Sequence, residues 1–212
     1  MSETLSVIST FVIEGKKDQI SQLTQQALDE GLTAEEILHN GLMKGMEVVG
    51  ARFKIEEMFL PEVMRSARTM LNSMEMLEPL FAETGVKMGG RLVIGTVKGD
   101  LHDIGKNLVG MMCRGAGFQV NDLGINVEPE TFVQAVKDFK PDVVGLSALL
   151  TTTMRAMGDT VKALQEAGVR DTVKIMIGGA PVTKSFADEI GADGYAPNAA
   201  AAADLAKTFT VG

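Results

Sequence analysis

Arg91-Leu92-Val93-Ile94-Gly95-Thr96-Val97-Lys98-Gly99-Asp100-Leu101-His102-Asp103-Ile104-Gly105-Lys106-Asn107 is the stretch that decides the fold. Its first seven residues form a short β-branched run that reads as a strand, and apolar residues at helical spacing resume over 105–116. Between them lies a loop bearing Gly99 and two aspartates. Phe118-Gln119-Val120, Asp142-Val143-Val144-Gly145-Leu146-Ser147 and Val173-Lys174-Ile175-Met176-Ile177 repeat the strand texture, and Gly194-Tyr195 is a short fifth candidate. Helix-length segments over 129–139, 153–168, 183–190 and 198–208 alternate with them. Strands alternating with helices specify a parallel sheet covered on both faces, because right-handed crossovers lay the helices against it. In such Rossmann-like, flavodoxin-like sheets ligands lie beyond the carboxyl ends of the strands. The loops 98–105, 123–128, 147–153 and 178–182 are therefore the functional edge.

Before this segment the texture is helical. Nine of the 14 methionines fall by residue 88, and apolar residues recur at three and four spacing. Thr33-Ala34-Glu35-Glu36 is a capping box opening a helix through Ile37, Leu38, Leu42, Val48 and Val49. Gly15 and Gly31 sit where C-terminal caps belong. Four helices are expected, at 3–14, 17–30, 34–52 and 60–81, with a turn at 53–59; short connections make them a four-helix bundle. Residues 82–90, small, polar and glycine-bearing, read as a linker and hinge. The expected domains are a helical cap, 1–88, and an α/β domain, 89–212.

Composition narrows the function. The longest uncharged stretch, Val143 to Met154, is 12 residues, short of the roughly 18 that span a bilayer. The N-terminus lacks the features of a secretory signal, so a cytoplasmic protein is expected, with no membrane partner. One cysteine, Cys113, and two histidines, His39 and His102, exclude a disulfide framework and a multi-histidine or cysteine metal cage. A net charge of −8, no tryptophan and one tyrosine argue against nucleic acid. The acidity lies before the linker, with 14 acidic and 8 basic residues up to residue 89 against 14 and 12 after it, and reads as a solvated face that could steer partner docking.

The loop at 99–107 is not a nucleotide site: five residues rather than four separate Gly99 from Gly105, Asn107 stands where Ser or Thr is required, and no GxGxxG follows any strand. It does place Asp100 two residues before His102. A carboxylate that accepts from one imidazole nitrogen fixes the tautomer and raises the basicity of the other, the arrangement that supports a metal ligand. His39, beside Asn40 in a helix, reads as structural, and Cys113 as a small buried hydrophobe.

Asp100, His102 and Gly105 form an Asp-x-His-x-x-Gly motif, Ser147-Ala148-Leu149 follows the third strand and Gly178-Gly179 the fourth. In these elements the chain resembles the cobalamin-binding domains. Gly45-Met46-Glu47-Val48-Val49-Gly50, Phe53, Phe59-Leu60-Pro61-Glu62-Val63-Met64 and Ser66-Ala67 resemble the helical cap beside that domain in cobalamin-dependent methionine synthase. The architecture is similar to the stand-alone corrinoid proteins of anaerobic methyltransferase systems acting on methylamines, methanol, methoxylated aromatics or betaines.

The resemblance implies cobalamin or a related corrinoid as cofactor, His102 as lower axial ligand to cobalt, and Asp100 and Thr153 completing a relay, with Thr153 where the family has serine. It implies a cofactor pocket of Asp100, Leu101, His102, Asp103, Ile104, Gly105, Ser147, Leu149, Thr151, Thr153, Gly178, Gly179, Tyr195, Asn198 and Ala199, whose glycines and small hydroxyl residues admit the buried nucleotide tail. Phe59, Leu60, Met46 and Met64 are candidate contacts to the reactive face, although Leu60 and the methionines at helical spacing also suit the bundle core. The implied function is methyl carriage. A substrate-specific methyltransferase loads the cofactor, a second methyltransferase delivers the group to tetrahydrofolate or a thiol, and a reductive activator restores cobalt. The other classes weighed are the cobalamin subunit of a carbon-skeleton mutase, which needs no cap, a cobalamin-based sensor, which needs an effector segment, and a flavodoxin-like domain with an incidental histidine.

Overall fold

The computed structural model describes residues 2–84 and 89–210. They form two compact units, one built chiefly from the helices before residue 85 and one from the sheet and helices after residue 88.

The helical unit contains α1 (Glu3–Glu14), α2 (Lys17–Asp29), α3 (Ala34–Glu36), a π-helical segment (Ile37–Leu42), α4 (Met43–Lys54) and α5 (Leu60–Thr84). α3, the π segment and α4 run on as one rod. It opens with the expected capping box, Glu36 N–H donating to the Thr33 hydroxyl while Thr33 N–H donates to the Glu36 carboxylate. Where the sequence predicts an unbroken α-helix over 34–52, six residues are π-helical, because apolar periodicity is insensitive to one extra residue in a turn. The rod lies close against α1: a Cβ on Gly41 would fall 2.8 Å from Ile8 Cγ2, and one on Gly45 2.8 Å from Ser9 O. Leu5, Ile8, Ile20, Leu38, Leu42, Met70 and Leu77 are buried in the unit, each contributing about 1.5–3 kcal/mol of burial. The buried hydroxyls of Thr24 and Ser73 lie 2.7 Å apart. Thr24 already donates to Ile20 O, so its oxygen accepts from Ser73.

α5 extends to Thr84 and the first strand starts at Gly90, so both edges of the expected linker 82–90 are regular structure. Its central residues 85–88 lie outside the described residues. Of the candidate cap contacts Phe59 is exposed, Leu60 and Met64 are half-buried and Met46 is buried. No described helix is long and apolar enough to cross a membrane.

The second unit is a five-stranded parallel sheet: β1 (Gly90–Thr96), β2 (Phe118–Asp122), β3 (Val143–Ser147), β4 (Lys174–Gly178) and β5 (Gly194–Tyr195), in spatial order β2-β1-β3-β4-β5. The register pairs Thr96 with Ser147, Ser147 with Gly178 and Ile177 with Tyr195, so the strands end together along one edge. Between and after the strands run α6 (Ile104–Gly115), α7 (Pro129–Phe139), α8 (Arg155–Glu166), α9 (Lys184–Ile190) and α10 (Ala199–Thr210). β2 runs two residues past the sequence-predicted end, because Asn121 and Asp122 stay in register with Val93 and Ile94 although their polarity argues against a strand.

Leu92, Val93, Ile94, Val143, Val144, Leu146, Ile175, Met176 and Ile177 are buried, the near-continuous apolar run of strands covered on both faces. One face packs Val93, Val144, Leu146, Ile175 and Ile177 against Phe132, Val136, Met157, Val161, Leu164 and Ala187 of α7, α8 and α9. The β1-to-β2 crossover runs the opposite way across the sheet, so right-handedness puts α6 on the other face. The strand order reverses between β1 and β3, and in this topology that reversal opens the ligand crevice.

A carboxylate and histidine at the switch point

Asp100 and His102 lie in the β1–α6 loop, and Leu149, Leu150 and Thr153 in the β3–α8 loop, on either side of the topological switch. The Asp100 carboxylate has no exposed area and joins the two loops. Oδ1 accepts from the His102 backbone N–H at 3.0 Å and lies 2.8 Å from His102 Nδ1. Oδ2 accepts from Leu149 N–H at 2.8 Å, Leu150 N–H at 3.2 Å and the Thr153 hydroxyl at 2.6 Å. Burial by itself would raise the Asp100 pKa, but the bonds from Thr153 and from the His102 and Leu149 amides outweigh it and hold the carboxyl well below the usual range. An ionised carboxylate can only accept, so the proton between the side chains belongs to Nδ1. In the neutral ring the lone pair then lies on Nε2, which has no protein partner among the described residues, on a side chain half exposed to solvent.

The edge of the sheet that carries this loop exposes apolar side chains. Leu101, Ile104, Ile125, Leu149 and Leu150, all from loops at this edge or the first turn of α6, account for five of the seven exposed large hydrophobic residues described. A Cβ on Gly105 would meet nothing within 4 Å, so bare backbone faces free space beside the histidine loop. Asp103 instead bonds within its own turn, accepting from the Asn107 backbone at 2.7 Å and from the Asn107 side chain at 3.0 Å.

The remaining sequence-predicted residues are placed along the same edge without joining the hydrogen-bond cluster. Ser147 and Gly178 end β3 and β4 opposite one another, and Thr151 is exposed in the loop before Thr153. Gly179 has a need internal to the fold: at φ 133° an added Cβ would lie 1.8 Å from Ala148 O. Gly179→Ala is therefore expected to cost about 3 kcal/mol or more, read as a lower urea midpoint at unchanged slope. Tyr195 packs against the core on β5, Asn198 accepts from Ala201 N–H at the start of α10, and Ala199 is buried.

Sequence reasoning missed several supports. The buried Thr96 hydroxyl donates to His102 O at 2.9 Å, and Lys106, nearly buried in the first turn of α6, pairs with Asp122 at the end of β2. The Leu149 and Leu150 amides that hold Asp100 carry no side-chain signal. A threonine in an apolar strand and a lysine early in an amphipathic helix were the only hints of the others.

A parallel sheet with an imidazole held by a buried carboxylate at its switch point is the arrangement of a ligand-binding α/β module. The chain belongs to the B12 binding domain family, which residues 90–204 match, while residues 7–78 match a second B12 binding domain. Its relatives are corrinoid proteins. It is 44% identical over 205 residues to a corrinoid protein of Desulfitobacterium hafniense, covering 95% of each chain. It is 43% identical to dimethylamine corrinoid protein 2 of Methanosarcina acetivorans, covering 99% of this chain and 97% of the other. Among solved structures it is similar to the methanol:cobalamin methyltransferase complex MtaBC from Methanosarcina barkeri, with a TM-score of 0.90 at 33% identity over all of this chain and 81% of that one. A cobalamin-binding protein from Desulfitobacterium hafniense DCB-2 gives a TM-score of 0.80 at 32% identity, covering 98% of both.

Proposed function

We propose that the chain is a methyl-carrying corrinoid protein with His102 as the lower ligand to cobalt. The observation that carries this reading is His102 itself: Nδ1 held by a buried, ionised carboxylate, Nε2 without a protein partner among the described residues, and the side chain half exposed at an edge that also exposes apolar residues. These residues fit a corrinoid. A single imidazole suffices where a macrocycle fills the other equatorial positions, and Leu101, Ile104, Ile125, Leu149 and Leu150 offer an apolar seat for its face. Gly105 leaves room for its tail.

When bound, the corrinoid supplies a cobalt centre that can accept and release a methyl group. The protein's part is to bind, orient and set basicity. Asp100 keeps His102 in the Nδ1–H tautomer and orients the ring, and Thr153 with the two leucine amides keeps Asp100 ionised. Such a carrier has no substrate pocket of its own. It works with a substrate-specific methyltransferase, a second methyltransferase whose acceptor is tetrahydrofolate or a thiol, and a reductive activator. The names of the dimethylamine and methanol relatives support a methyltransferase partner.

The test is the absorption spectrum of the purified full chain mixed with hydroxocobalamin and desalted. The expected result is roughly stoichiometric retention with a base-off, histidine-on spectrum. Retention with the cofactor's own base still on cobalt would overturn the ligand assignment, and no retention would overturn the carrier reading.

A further inference from the structure

Asn126 is one of three non-glycine residues described with positive φ, at 51°, and the one of them at the ligand edge of the sheet. Asparagine tolerates the left-handed region better than most residues, and a residue held there at a functional edge points to a role for its conformation. That conformation turns both the side chain and the backbone of Asn126 onto the histidine loop. Its Oδ1 accepts from Gly99 N–H at 2.7 Å, and its own N–H donates to Asp100 O at 3.0 Å. Gly99 is itself left-handed, at φ 81°, so the loop turns sharply where Asn126 holds it.

The loop carrying Asn126 is anchored in turn. Asp122 accepts from Gly124 N–H at 2.9 Å and pairs with Lys106, and Gly124 O accepts from Thr96 N–H at 3.0 Å. Thr96 also holds His102 O. The stretch 99–102 is thus fixed on its backbone by Asn126 at one end and by Thr96 at the other, while the Asp100 side chain reaches across to the β3–α8 loop.

We infer that Asn126 is a positioning residue for the Asp100–His102 pair, acting through the backbone of Gly99 and Asp100 rather than by touching the corrinoid. This rests on the reading of His102 as the cobalt ligand. Without the Oδ1 acceptor Gly99 N–H loses its partner, the turn loosens, and the carboxylate no longer meets Nδ1 in one geometry.

The test compares wild type, Asn126→Ala and Asn126→Asp as full chains. Two readings are taken: the fraction of retained hydroxocobalamin in the histidine-on form, and the tautomer of His102 in the cofactor-free protein by long-range proton–nitrogen NMR, which only His39 accompanies. For Asn126→Ala we expect unchanged circular dichroism, about tenfold weaker histidine-on binding and a shift of His102 away from the Nδ1–H tautomer. Asn126→Asp, which keeps an oxygen acceptor and tolerates the same φ, is expected to match wild type. If Asn126→Ala does not fold, Asn126→Gly keeps the backbone conformation and its N–H while removing the acceptor, and the same two readings apply. A wild-type histidine-on fraction and tautomer in the variant lacking the acceptor would overturn the inference. Failure of wild type itself to form the histidine-on complex would instead remove the ligand assignment, and the cofactor-free tautomer would still decide the role of Asn126.

Discussion

His102→Ala is expected to retain the fold and lose the histidine-on spectrum entirely. The side chain is half exposed and its one protein bond is to Asp100, which keeps four other donors including the backbone N–H of residue 102. The stability change is therefore on the order of 1 kcal/mol, the net value of one hydrogen bond. The spectroscopic change is complete, because no other histidine or cysteine stands in the loops at this edge, His39 and Cys113 being placed in helices. Urea titration of the cofactor-free variant measures the first effect, and the absorption of the reconstituted variant the second. A variant whose bound corrinoid keeps the wild-type spectrum would show that His102 is not the ligand.

Asp100→Asn has a different and larger effect on the protein. The carboxylate accepts five hydrogen bonds on two oxygens, and an amide has only one oxygen to offer. If the new NH2 faces the β3–α8 loop, it meets the Leu149 and Leu150 amides and the Thr153 hydroxyl, donors set against donors. If it faces His102, it orphans the backbone N–H and forces Nδ1 to accept, moving the ring proton onto Nε2. The second arrangement costs less and blocks the lone pair that a metal needs. Charge-assisted bonds contribute about 1.5–3 kcal/mol each, and part of the set survives, so a loss of about 3 kcal/mol in stability is expected. Histidine-on affinity is expected to fall by about 10–100-fold. Equal stability and an unchanged His102 tautomer in the cofactor-free variant would mean that the carboxylate does not set the ring.

Much of this was legible before any coordinates. Short β-branched runs separated by helix-length segments specify a parallel sheet, and the capping box, Gly15 and the spacing of apolar residues mark the helices of the first unit. The Asp-x-His pair could be singled out because two residues so close in sequence meet whatever the rest of the chain does. The single step Thr33 to Glu36 and the step Asp100 to His102 are both local in this sense.

What composition and periodicity could not reach lies between residues far apart in the chain. Thr153 meets Asp100 across 53 positions, and Asn126 meets Gly99 across 27, because the pairing of β1 with β2 and β3 brings their following loops side by side. The register of β3 with β4 in turn makes Gly179 obligatory by setting Ala148 O where its Cβ would fall, and close packing on α1 surrounds Gly41 and Gly45. Sequence by itself determined the two-unit α/β architecture and the donor atom on offer, since both depend on local backbone preference and side-chain chemistry. Tertiary structure alone decided which backbone amides keep Asp100 charged, which way His102 presents its free nitrogen and which residues hold that loop in place. Those depend on distances between strands that no local pattern encodes.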